Sequence, residues 1–162
     1  MKNILKIQPF QSVGEFVFNK AREYLLSQIT FELKSTTIEN NGENQFIVDN
    51  YDEVLAYYNK ENERLFYVTF VPLATIELLF NNESLFEKNS GEIYDFFKKL
   101  DTDIVTEDYV GFGSKKYGID IYSPNYAEDK EAKIEGISIA IKGYFDAIYD
   151  GRKLNITDLQ KT

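Results

Sequence analysis

Apolar and polar positions alternate along much of this chain, so strands dominate the predicted elements. Residues 5–10 alternate as a short strand, residues 11–14 turn, and residues 15–18 return to close a small hairpin. Asn19 is placed to cap a helix over residues 20–28, where Ala21, Tyr24, Leu25 and Gln28 recur at helical spacing. Residues 30–38 alternate again, and the run Asn40-Asn41-Gly42-Glu43-Asn44 is a strong turn signal, because Asn and Gly tolerate positive φ. Residues 45–50, 54–58, 64–71 and 75–80 read as further strands. A polar turn over residues 59–63 separates two of them, and Pro72 ends the third.

The second half opens on a helix over residues 91–101, with Ile93, Phe96, Phe97 and Leu100 on one face and Ser90 as the expected cap. Glu92 near its start and Lys98 and Lys99 near its end match the helix dipole. Residues 110–114 read as a tight turn ahead of a strand over 117–122, which Ser123-Pro124-Asn125 stops. Residues 134–149 carry Ile137, Ile139 and Ile141 in strict alternation. Together these segments predict an α+β domain: a mostly antiparallel, meandering sheet of roughly eight strands, with two main helices packed on one face. Residues 1–150 form this single domain, and residues 151–162 read as a polar C-terminal tail with a weak apolar trio, Leu154, Ile156 and Leu159.

Composition narrows the chemistry. The 162 residues contain neither Cys nor His, which removes thiol nucleophiles, thiolate or imidazole metal sites and Ser-His-Asp machinery. Any catalysis would run on carboxylates, Lys, Arg, Tyr or Ser. The net charge is −9, and the acidity is uneven: residues 39–108 carry five basic and sixteen acidic groups. Such a field repels a phosphate backbone, and no basic patch offsets it, so nucleic acid is not an expected partner. No run of residues is long and apolar enough to span a bilayer and no targeting segment is visible, so a cytoplasmic protein without a membrane partner is expected.

Local motifs add little catalytic chemistry. Gly111-Phe112-Gly113-Ser114-Lys115-Lys116 has neither the P-loop spacing nor the third Gly of a dinucleotide fingerprint. Asp101-Thr102-Asp103 begins like a Ca²⁺ loop, but Thr106 stands at the sixth position and Phe112 at the twelfth, where Gly and Glu belong. No cofactor or resident metal is expected. Phe66-Tyr67 and Tyr57-Tyr58 offer a stacking platform if the strands turn them outward; strand alternation favours the core for half of them.

The segments Ile7-Gln8-Pro9-Phe10-Gln11-Ser12-Val13-Gly14, continuing to Glu23, and Gly113-Ser114-Lys115-Lys116-Tyr117-Gly118-Ile119-Asp120-Ile121-Tyr122-Ser123-Pro124 resemble the opening and a later strand of small bacterial toxin-immunity proteins. The resemblance implies a cytoplasmic inhibitor of a cognate toxin and carries over no functional residues. Charge and resemblance together predict a non-enzymatic, acidic inhibitor that covers a basic partner's active site. The expected contact residues are Asp49, Asp52, Glu53, Tyr57 and Tyr58, then Asp101, Asp103, Glu107 and Asp108. The alternatives are a small-ligand or carbohydrate-binding domain that uses exposed Tyr and carboxylates, and a carboxylate-dependent hydrolase.

Overall fold

The computed structural model describes residues 2–161. In chain order the first half runs β1 (Asn3–Gln8), β2 (Ser12–Val13), β3 (Phe16–Val17), α1 (Arg22–Gln28), β4 (Ser35–Asn41), β5 (Asn44–Asn50), β6 (Val54–Asn59), β7 (Leu65–Phe70), β8 (Ile76–Phe80) and β9 (Glu83–Ser84). The second half runs α2 (Ser90–Leu100), β10 (Val105–Glu107), β11 (Gly111–Ser114), β12 (Ile119–Tyr122), β13 (Gly136–Ala140), α3 (Tyr144–Tyr149) and α4 (Ile156–Leu159). The architecture is α+β. An eight-stranded antiparallel sheet has the order β10-β11-β12-β13-β7-β6-β5-β4, and a small five-stranded sheet the order β3-β2-β1-β8-β9. Within the small sheet β1 and β8 run parallel.

Register divides the large sheet into two faces. Phe112, Ile121, Ile137, Phe70 and Val54 lie opposite one another across successive strands and are all buried. Against this inner face pack the small sheet, through Phe16 on Phe70 at 6.1 Å, and α2, through Tyr94 on Phe112 at 5.3 Å. Leu25 of α1 is buried in the same core. Helix α2 forms because Ile93 and Phe97 share its apolar face and because Asn89, one residue before the expected Ser90, closes a capping box with Glu92. Asn19 does not cap α1. It turns the chain at φ 65°, and Ala21 takes the cap position without a side-chain bond.

One other expectation is corrected, and two further segments take a definite form. Residues 110–114 are not a turn: Gly111–Ser114 is strand β11, buried throughout and paired with both β10 and β12. Within residues 134–149 the alternating part forms strand β13. The ladder ends at Ala140, Gly143 turns at φ 90°, and Tyr144–Tyr149 forms α3 on the outer face, opposite α1 and α2. Six residues make less than two turns, too short for a helical period to show in sequence. Residues 151–161 of the expected polar tail pack against the domain. Ile156 is 1% exposed, Asn44 Nδ2 donates to the Leu154 carbonyl at 3.0 Å, and Asn62 Nδ2 donates to Gln160 Oε1 at 2.9 Å. Among the described residues no helix is long and apolar enough to cross a membrane.

Candidate functional site

The outer face of the large sheet carries a cluster of polar and aromatic side chains. Gly113, Asp120, Ser138, Thr69 and Leu55 lie opposite one another across five strands, and Ala140, Tyr67, Tyr57 and Val48 form the neighbouring row. A bulge enlarges the aromatic content. The β6–β7 register passes from Tyr57↔Tyr67 to Tyr58↔Leu65, which leaves Phe66 as the extra residue. Phe66 and Tyr67 therefore both turn outward, and both reach the Tyr144 ring, at 6.0 and 5.2 Å. Tyr57 meets Tyr67 edge-on at 5.0 Å.

Helix α3 covers part of this face and leaves a furrow with two lobes. One lobe, of about 350 Å³, is bounded by Glu39, Phe46, Tyr57, Phe66, Tyr67 and Tyr144. The other, of about 210 Å³, is bounded by Tyr67, Glu107, Asp120, Tyr144, Phe145 and Tyr149, with Val110 and Ile148 at its rim. Tyr67 and Tyr144 form the wall common to both. No Lys or Arg is among the described residues that line either lobe.

Hydrogen bonds hold these groups in place. The Tyr67 hydroxyl donates to Ser138 Oγ at 2.7 Å, and Ser138 Oγ donates to Thr69 Oγ1 at 3.0 Å, so the Tyr67 ring is fixed between β7 and β13. The Tyr149 hydroxyl donates to Asp120 Oδ1. This contact explains Gly113: a Cβ there would collide with the Tyr149 hydroxyl and crowd Asp120. Burial pushes Asp120 up to about 6; the charge of Glu107 adds to the rise, and the Tyr149 hydrogen bond opposes it. Burial also pushes Tyr144 up to about 12 and raises Tyr67 and Tyr149, so these phenols stay neutral at pH 7.

The nine residues expected at a contact surface separate. Tyr57 and Glu107 line the furrow. Asp52, Asp103 and Asp108 are exposed outside its lining, and Glu53 is half-buried and accepts from the Thr75 hydroxyl. Three are corrected as contact residues because they are buried. Asp49 is 0% exposed, bound by Arg22 Nε at 2.8 Å, Arg22 Nη2 at 2.9 Å and Thr36 Oγ1 at 2.7 Å. Tyr58 points inward because it neighbours outward-facing Tyr57 on β6. Asp101 ends α2 and accepts from Ser114 Oγ at 2.6 Å and from the Asp103 backbone N–H at 2.9 Å. Nor do the nine form one patch. Glu107 on β10 and Tyr57 on β6 stand five strand spacings apart, about 24 Å.

Sequence reasoning passed over Asp120, Tyr144 and Tyr149 as site residues and left Tyr67 undecided. Asp120 did carry a signal, as a carboxylate between Ile119 and Ile121 on an alternating strand. That pattern gives its face but not the helix that covers it. Among the described residues no group of three or more carboxylates is arranged to hold a metal ion. Comparison of the chain with family models, with curated proteins and with solved structures finds no match.

Proposed function

We propose that this protein is a non-catalytic, acidic protein-binding domain of the immunity type, which blocks the active site of a basic toxin or effector in the cytoplasm. The observation that carries the reading is the outer furrow: Glu39, Glu107 and Asp120 line it together with four tyrosines, and no cationic side chain lines it. A net charge of −9 adds a long-range field of the same sign. Charge of this kind speeds encounter with a basic surface, and tyrosines that keep one polar edge are good interface anchors. The mechanism is steric cover of the partner's site, steered by complementary charge.

The test is recovery of the partner from the source lysate, followed by association kinetics at low and high salt. The on-rate should fall steeply as the Debye length shortens to about 8 Å at physiological ionic strength. Glu107→Lys should slow association, whereas Asp103→Lys, outside the furrow, should change it much less. An on-rate indifferent to salt and to Glu107→Lys removes the electrostatic mechanism.

One observation favours a second reading. A carboxylate with a raised pKa beside a second carboxylate, Asp120 and Glu107, is what a carboxylate-dependent hydrolase uses as acid and base. Turnover of an ester, phosphate or glycoside that Asp120→Asn abolishes would replace the binding reading with this one.

A further inference from the structure

Two partly or fully buried carboxylates of this fold are treated differently. Asp49 is neutralised by a bidentate Arg22 and a Thr36 hydroxyl. Asp120 accepts a hydrogen bond from one neutral phenol, Tyr149, and has no ion pair among the described residues. The groups that face it are Tyr144 and Tyr149 from α3, Tyr67 from β7, Ser138 from β13 and Glu107 from β10, none of them cationic. A partly buried carboxylate next to a second acid, in an open lobe with no counter-ion, lacks the positive group that such a site stabilises.

Resting on the reading above, we propose that this lobe receives one arginine side chain of the basic partner. The guanidinium would pair with Asp120 and Glu107 and lie against the Tyr67 and Tyr144 rings. Three features select this occupant. The lobe holds about 210 Å³, below the roughly 300–1,000 Å³ of small-molecule sites, and so suits a side chain rather than a cofactor. Its carboxylates complement a cation, and the planar fork of a guanidinium matches a carboxylate bidentately. Its aromatic wall provides ring faces for the same cation, an attraction that strengthens when water is displaced. The furrow then continues past Tyr67 into the larger lobe, where Glu39 and Tyr57 meet the residues flanking that arginine.

The test is a chemical-shift titration of the whole chain with acetyl-Gly-Arg-Gly-amide, against the isosteric, uncharged acetyl-Gly-citrulline-Gly-amide. The arginine peptide should shift the signals of Tyr67, Asp120, Tyr144 and Tyr149, and the citrulline peptide should bind at least tenfold more weakly. Binding should weaken severalfold between pH 7.5 and pH 5, as Asp120 takes up its proton. Asp120→Asn and Tyr144→Leu should each weaken it about tenfold, and shifts of the remaining signals report that the variants are folded. Equal binding of the two peptides, or shifts confined to other surfaces, overturns the proposal. The recovered partner separates the two claims. A basic partner that binds wild type and Asp120→Asn equally refutes the arginine site and leaves the inhibitor reading standing. An arginine peptide that binds in the lobe, with no basic protein found to bind the chain, refutes the inhibitor reading and leaves a guanidinium site.

Discussion

Replacing Asp120 by Asn should stabilise this protein at neutral pH and leave it little changed in acid. Asp120 titrates near 6 in the folded chain, against an ordinary value of 3.8. The native state thus binds its proton more tightly than the unfolded chain does. The stability from the protonated form is fully present below pH 4 and is lost as pH rises through 6. A shift of about two units corresponds to about 3 kcal/mol lost by pH 7.5. Asn mimics the protonated carboxyl and can still accept from Tyr149, but its amide adds a donor that needs a partner, at about 1 kcal/mol. The expected net gain at pH 7.5 is therefore about 2 kcal/mol, or a rise in Tm of about 4–8 °C for a chain of this size. Urea unfolding of both proteins at intervals from pH 4 to pH 8 measures it. The two stability curves should cross between pH 4 and pH 5, separate as pH rises to about 6, and keep a nearly constant gap above that. A gap that does not change with pH, or a variant less stable at pH 7.5, refutes the burial argument for Asp120.

Four further outcomes are expected from equilibrium unfolding. Phe97→Ala should cost about 3–5 kcal/mol, because the ring is 2% exposed and stacks on Phe80 at 5.7 Å; half-buried Phe96→Ala should cost clearly less, and equal losses would mean that the face of α2 is misassigned. Arg22→Ala should cost about 3–5 kcal/mol by stranding Asp49 in the core, and Arg22→Met with Asp49→Leu should recover much of that loss. Gly113→Ala should destabilise wild type but much less a Tyr149→Ala background, because the clash is with the Tyr149 ring end; equal costs in both would place the strain elsewhere. Ile156→Ala should cost about 2–5 kcal/mol, whereas an undocked C-terminal segment would leave the unfolding midpoint unchanged.

The sequence by itself determined the fold class, most of the strands in β4–β8 and the apolar face of α2. These rest on local patterns: period-two alternation, the Asn-Gly turn at residues 40–44 and the i, i+3, i+4, i+7 spacing of Ile93, Phe96, Phe97 and Leu100. Alternation also tells that Tyr57 and Tyr58 face opposite sides, and Asp49 and Asp52 stand together among the expected contact residues. Only the tertiary structure decided which side was covered. It buried Tyr58 and Asp49 beneath the sheet and left Tyr57 in an open furrow. It inserted a bulge at Phe66, which sequence periodicity does not register, and so brought Phe66 and Tyr67 to one face. It folded Tyr144–Tyr149 into a helix too short to show a period, and that helix carries Tyr149 to Asp120 from 29 positions away. A strand's period says which side chains share a face; what packs over that face depends on contacts between segments distant in the chain. The furrow that Asp120 lines is made of such contacts, and for that reason it became visible only in three dimensions.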